Sequence, residues 1–232
     1  MEINFSKFEE KAAVAFKDKN LLKQAFTHRS YINENKNVRL EHNERLEFLG
    51  DAVLELVVTD FLYKKYPSKP EGELTTYRSA LVNAITLAEV ASNLSMNDYL
   101  LLSKGESKDT GRARQYILAN TFEAVVGALY LDQGYEAAKK FIENNIFIFA
   151  DQMIARGNLV DAKSMFQEKA QEKTGITPSY KLVKESGPDH DKSFTVGVLI
   201  GKDQIAVGEG KSKQEAEQNA ALRALEVKGW NN

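Results

Sequence analysis

The hydrophobic period of this chain changes once, near Gly157-Asn158-Leu159-Val160, and nothing else limits the fold as much. Upstream, apolar residues recur at spacings of three and four, and strand-like alternation is scarce. This predicts helices near 5–16, 19–26, 39–65, 73–94, 113–132 and 136–156. Breaks fall at Tyr66-Pro67-Ser68-Lys69-Pro70-Glu71-Gly72, at Ser103-Lys104-Gly105-Glu106 and at Gly111. Residues 1–156 are therefore expected to form an all-α, bundle-like domain. Downstream the order is helix, three strands, helix. Residues 162–174 read as a helix and Ser179 to Glu185 as a strand. From Lys192 to Ile200 the chain alternates, with Phe194, Val196, Val198 and Ile200 on one face. Gln204 to Val207 follows the hairpin signal Gly201-Lys202-Asp203. Ser212-Lys213-Gln214-Glu215 is a capping-box pattern opening a helix that carries Ala216, Ala220, Leu222, Ala224 and Leu225. Residues 162–232 are thus a small α+β unit of order α-β-β-β-α. Residues 157–161 are the linker, short enough to keep the domains close while letting them reorient.

Composition removes several classes. A chain of 232 residues holds one large domain or two smaller ones at about 150 residues each. There is no cysteine, which excludes disulfide scaffolds, cysteine zinc sites and thiol catalysis and points to a reducing cytoplasm. The first ten residues lack a basic segment followed by an apolar one, so no secretory signal is expected. No window approaches the ~18 uninterrupted apolar residues of a spanning helix, so no membrane partner is expected. A net charge of -2 runs against the basic footprint of most nucleic-acid proteins, unless local patches escape the average.

The informative stretch is Glu41-His42-Asn43-Glu44-Arg45-Leu46-Glu47-Phe48-Leu49-Gly50-Asp51-Ala52-Val53-Leu54-Glu55. On a helix, at about 100° per residue, Glu44, Glu47, Asp51 and Glu55 share an arc of about 80°. Leu46, Leu49, Val53, Leu56 and Val57 fall on the opposite side and should anchor the helix. Most acidic helix faces are solvated surface. A solvated face usually mixes signs to relieve repulsion, and this arc holds no lysine. Phe48 lies beside the acids, where an intramolecular core cannot easily take it, so a partner subunit could cover it. Clustered carboxylates need compensation, and hard oxygen ligands suit Mg²⁺. Asn120 and Glu123, three apart on one helix face, could add ligands, and Gly127 with Ala128 would let that helix come close.

The nine residues Asn43 to Asp51 resemble the signature of ribonuclease III, the double-stranded-RNA endonuclease family. Thr27-His28-Arg29-Ser30, Glu71-Gly72 before a helix containing Arg78, and the Asn120 to Asp132 segment support the resemblance. The C-terminal unit resembles a double-stranded-RNA-binding domain. The resemblance covers nearly the whole chain. It implies a homodimeric phosphodiesterase that depends on Mg²⁺, with Mn²⁺ able to substitute. It also implies 5′-phosphate and 3′-hydroxyl ends, a short 3′ overhang, and roles in rRNA precursor and mRNA processing. By motif position, Glu47, Asp51 and Glu123 match metal ligands, with Asp51 and Glu123 catalytic, and Asn120 takes the place of the fourth ligand. Glu44 and Glu71 match acids of the substrate cleft. Phe48 matches the knob that enters the partner subunit. His28 and His42 are expected to make structural hydrogen bonds.

Two positions depart from the family pattern. The usual residue at 120 is Asp, and Asn brings an oxygen without a charge. A tolerated natural variant, a shifted ligand set and an impaired enzyme all remain open. In the tail, Gln167, Glu168 and His190 match minor-groove contacts, and Lys211 and Lys213 lead into a helix N-terminus suited to phosphate. Several basic residues usually open that helix, where this chain has Lys213-Gln214-Glu215. From Asp161 to Asn232 there are 11 basic and 11 acidic residues, so the tail is neutral and its own duplex binding should be weak and salt-sensitive. Arg112 and Arg114 are equally candidate phosphate contacts and structural ion-pair partners. The rival readings are a catalytically impaired RNA-binding protein on the same fold and a metal-dependent phosphohydrolase of small nucleotides.

Overall fold

The computed structural model describes residues 4–155, 162–187 and 192–230, and the side chains of 149–155 lie outside that description. The chain divides into two compact units, Met1–Leu159 and Val160–Asn232. The linker expected at 157–161, and Pro188, Asp189 and His190 of the expected RNA-contacting loop, lie outside the described residues.

The first unit is helical: α1 (Ser6–Ala12), α2 (Lys19–Ala25), α3 (Arg29–Glu34), α4 (Glu44–Lys65), α5 (Glu71–Leu81), α6 (Ala84–Asn93), α7 (Arg112–Gln133) and α8 (Tyr135–Ala155), with 3₁₀ turns at Met96–Tyr99 and Glu106–Lys108. α4 and α7 form its centre. Leu46, Leu54, Val57, Val58 and Leu62 from α4 meet Phe122, Val125, Val126 and Leu129 from α7, all buried. The two backbones touch where side chains are missing. A Cβ built on Gly50 would lie 1.7 Å from the Glu123 carbonyl oxygen, and one on Gly127 would lie 2.2 Å from that of Leu46. Glycine is required there by space, since neither backbone has a positive φ.

Four boundaries differ from the sequence reading. The first helix stops at Ala12 because Ala13 turns left-handed, at φ 51°. α4 begins at Glu44, not near 39. Asn43 is held just before it, with its amide bonded to Thr27 O at 2.9 Å and its side chain to Ala25 O at 3.0 Å. The single helix expected over 73–94 is two helices, because Asn83 Oδ1 accepts from the Ile85 and Thr86 amides and starts a new helix. α3 was not foreseen. It has no buried residue and hence no apolar period, and His28 caps it through Nδ1. On α4, Leu56 is 58% exposed and does not anchor the helix.

In the second unit, β1 (Ser179–Ser186), β2 (Ser193–Ile200) and β3 (Asp203–Gly210) form an antiparallel sheet in that order. α9 (Ala162–Thr174) and α10 (Lys213–Lys228) pack on it through Phe166, Ala170, Val198, Ala220, Ala224 and Leu225. The alanine row lets α10 lie against the strand: a Cβ on Gly208 would sit 2.1 Å from the Ala220 amide nitrogen. Ser212 Oγ accepts from the Glu215 amide, while Glu215 accepts from the Lys211 amide, one residue before the cap. Among the described residues, no helix is long and apolar enough to cross a membrane.

Candidate functional site

The first-turn acids of α4 depend on Asn43. By fixing where the helix begins, Asn43 fixes the rotation of its first turns, and with it the placing of Glu44, Glu47 and Asp51. The Gly50–Gly127 contact then sets α7 against that stripe. Asn120 and Glu123 reach the same place from α7. The Asn120 amide donates to the Glu47 carboxylate. Burial, then repulsion from Glu44, pushes the Glu47 carboxyl above its ordinary value. The Asn120 hydrogen bond opposes that shift, and Asp51 adds to it. Glu123 is displaced further: burial, then Asp51, Glu47 and Glu55, raise it to about 8. Desolvation and like charge act in the same direction here, as expected for carboxylates crowded without a counter-charge.

Glu47, Asp51, Asn120 and Glu123 are therefore brought together, but not into a closed chelate. Among the described residues, no three Asp, Glu or His side chains stand as a group arranged to hold a metal ion. The donor set nonetheless suits a hard divalent cation. It offers carboxylate and amide oxygens, and its raised Glu123 marks negative charge that the protein itself leaves uncompensated.

Of the other expected acids, Glu44 adjoins this group through its repulsion of Glu47, and Glu71 stands apart from it. Glu44 pairs with Arg29 Nη1 at 3.3 Å and stands 3.8 Å from His42 Nδ1. Glu71, in the first turn of α5, accepts from Thr75 Oγ1 at 3.0 Å. It lines a hollow of about 160 Å³ with Thr59 and Arg78, and Arg78 donates to Thr59 Oγ1 at 3.1 Å. It is not among the charges that shift Glu47 or Glu123. His28 is a helix cap whose pKa burial lowers. His42 Nδ1 is buried without a hydrogen bond. Phe48 is 81% exposed and edges a cleft of about 580 Å³ lined by Leu21, Leu46, Leu49 and Leu131.

The arginine pair divides. Arg114 is 9% exposed, and its two terminal nitrogens bond Asn97 Oδ1 at 2.7 Å and Glu106 O at 2.8 Å, which makes it structural. Arg112 is exposed. In the second unit, Gln167 and Glu168 line a cleft of about 570 Å³ along α9 with Ser164, Gln171, Glu172 and Thr177. Lys213 lies 5.8 Å from the Phe194 ring centroid. Sequence reasoning left two groups without a role. Glu55 was visible on the acidic arc but unassigned. Arg29 stood in the Thr27 to Ser30 segment without a role, because only the fold brings it to Glu44.

Residues 18–149 match the family model described as Ribonuclease-III-like, and residues 162–228 match the double-stranded RNA binding motif. Ribonuclease 3 of Enterococcus faecalis is 49% identical over 220 residues, covering 95% of each chain. Ribonuclease 3 of Natranaerobius thermophilus is 50% identical over 220 residues, covering 94% of each. The nuclease domain of ribonuclease III from Campylobacter jejuni, described for structural flexibility in a region involved in dimer formation, superposes with a TM-score of 0.55. It is 42% identical and covers 61% of this chain and 98% of its own. With both of its units matched in order and along nearly its full length, the chain belongs to the ribonuclease III family, a helical nuclease domain followed by a double-stranded-RNA-binding domain.

Proposed function

We propose that this chain is an endoribonuclease that cuts double-stranded RNA as a homodimer, dependent on Mg²⁺ and able to use Mn²⁺. Its products carry 5′-phosphate and 3′-hydroxyl ends with a short 3′ overhang, and its work is the processing of rRNA precursors and mRNA in the cytoplasm. The domains are 1–156 for catalysis and dimerisation, 157–161 for the linker and 162–232 for duplex binding. The observation that carries this reading is the coupling of Glu123 on α7 to Glu47 and Asp51 on α4, a negative cluster built across two helices in contact.

Glu47, Asp51, Asn120 and Glu123 would hold the divalent ion, with Asp51 and Glu123 nearest the chemistry. A bound cation supplies charge neutralisation at the phosphate and a water of lowered pKa. The protein's own part is to orient that site. Partial burial of Glu123 holds its carboxyl among the other acids, and Asn120 stabilises the charged form of Glu47. Glu44 and Glu71 belong to the substrate cleft, and Phe48 to the subunit contact. In the tail, Gln167, Glu168 and His190 suit the minor groove of A-form RNA, and Lys211 and Lys213 its phosphates. Because the tail is neutral, two tails presented together supply avidity that one lacks.

The second reading is an impaired, RNA-binding member of the same family. Asn120 favours it, since the site has one charge fewer than four acids would give. One assay separates the two. A long duplex RNA is incubated with Mg²⁺, with Mn²⁺ and with EDTA, using the parent chain, Glu123→Ala and Asn120→Asp. We expect metal-dependent cleavage by the parent and its loss in Glu123→Ala with duplex binding retained. Asn120→Asp should need less Mg²⁺ for half-maximal rate. Duplex binding without cleavage in either metal selects the second reading.

A further inference from the structure

The open strip of α7 does not stop at Asn120. Among residues 112–128, those not buried are Arg112, Ala113, Gln115, Tyr116, Asn120 and Glu123. Arg112, Tyr116, Asn120 and Glu123 follow one another at four, four and three residues. On a helix they occupy an arc of about 80°. The face that carries the acid cluster therefore runs on for two more turns, and there its sign reverses.

Arg112 lies over the ring of Tyr116, 5.8 Å from the centroid, and Nη2 donates to the Tyr116 hydroxyl at 3.3 Å. Tyr116 is itself 48% exposed. No core takes the ring and no carboxylate takes the guanidinium: among the described residues Arg112 makes no ion pair. The nearest acid in sequence, Asp109, is engaged by the Gly111 amide at 2.8 Å. Of the other arginines near the site, Arg29 is committed to Glu44, Arg78 to Thr59 and Arg114 to Asn97 and Glu106, while Arg45, also exposed, lines the cleft beside Phe48 and is not on the α7 strip. An aromatic ring beneath a guanidinium restricts its rotamers, and apart from the Nη2 bond to Tyr116 its N–H groups stay available to phosphate oxygens.

We propose that Arg112, presented by Tyr116, is a substrate-contact residue that takes a backbone phosphate of the RNA strand beyond the bond that is cut. This rests on the duplex-RNA reading above. At 1.5 Å per residue, Arg112 lies about 12 Å along the helix from Asn120. The phosphate it holds is therefore not the one facing the carboxylates but one farther along the strand. An acidic row alone repels a polyanion. A cation at one end of the same strip gives the strand a fixed point and a direction, and the exposed ring gives the adjoining ribose an apolar surface. Tyr116 is a positioning residue for Arg112.

The test uses the full chain, a 30-base-pair duplex RNA, and the variants Arg112→Gln, Arg112→Lys, Tyr116→Phe and Tyr116→Ala. Cleavage in Mg²⁺ and duplex binding in EDTA are each followed across a salt series. Removing one charge-assisted phosphate contact should raise KM and the duplex Kd about tenfold, with kcat within twofold. It should also reduce the slope of log affinity against log salt by about one. Arg112→Lys should keep the slope but recover only part of the affinity. Tyr116→Phe should behave like the parent, and Tyr116→Ala should weaken binding without changing the slope. If Arg112→Gln leaves Kd and slope as in the parent, the proposal falls, whether or not the parent cleaves. If the parent binds duplex but does not cut, the nuclease reading falls and the binding series still decides the Arg112 contact. A weaker dimer in Tyr116→Ala with unaltered duplex binding would assign the pair to a protein interface and overturn the proposal.

Discussion

Among the described residues Glu123 has the most displaced carboxyl, and the sign of the shift has a consequence for stability. Its carboxyl titrates near 8 in the folded chain against an ordinary 4.5. The folded state therefore holds a proton that the unfolded state has released. Its contribution is complete below about pH 4.5 and is lost as pH rises through about 8. In EDTA, thermal melts of the parent should show stability from this source falling across that window. Glu123→Gln, neutral at every pH, should flatten the fall and stand above the parent at pH 8.5. Parallel curves for the two proteins would show that Glu123 is not protonated in the fold. Asn120 acts in the same place in a gentler way, since its amide stabilises the charged form of Glu47 and partly offsets the crowding.

At the scale of elements, the site is a property of the α4–α7 contact. Gly50 and Gly127 allow backbone against backbone, and that closeness is what brings Glu123 under the influence of Asp51 and Glu47. Gly50→Ala places a methyl group 1.7 Å from the Glu123 carbonyl oxygen, where only backbone can yield. Overpacking of this kind costs typically 1–3 kcal/mol, taken here as about 3 because both neighbours are helix backbone. Urea unfolding should register that loss. The Mg²⁺ needed for half-maximal cleavage should rise as well, because parted helices separate the carboxylates. A stability loss with an unchanged metal requirement would mean the spacing is not critical. The split of the 73–94 helix at Asn83 has the same local character: one side-chain oxygen that caps two amides outweighs a continuous apolar period.

For the whole molecule, the exposed Phe48 and the neutral tail both fit the proposed homodimer. An aromatic ring 81% exposed beside an apolar cleft is costly to leave in water. If Phe48 anchors a second copy, Phe48→Ala should cost about 2 kcal/mol of association, near 30-fold in dimer Kd. Sedimentation equilibrium of parent and variant would measure it. An equal association constant would remove Phe48 from the subunit contact. Loss of the dimer should also weaken duplex binding more than a surface substitution would, since a tail with 11 charges of each sign gains affinity chiefly by being presented twice.

Sequence alone determined the two-part organisation, the α-β-β-β-α order of the tail, the acidic arc on α4 and the odd place of Phe48. Each follows from a period, and a period is a local property that any one segment carries in full. What only tertiary structure decided is relational. α3 lacked a period because it buries nothing, and the start of α4 at Glu44 is set by bonds from Asn43 to Thr27 and Ala25, residues 16 and 18 positions away. Arg112 and Arg114 are two residues apart and indistinguishable in sequence. The fold turns Arg114 inward to Asn97 and Glu106 and leaves Arg112 outward over Tyr116. The pairing of Arg29 with Glu44, the reach of Asn120 to Glu47 and the charge on Glu123 likewise depend on distances between helices, which close packing sets and no single stretch of sequence encodes.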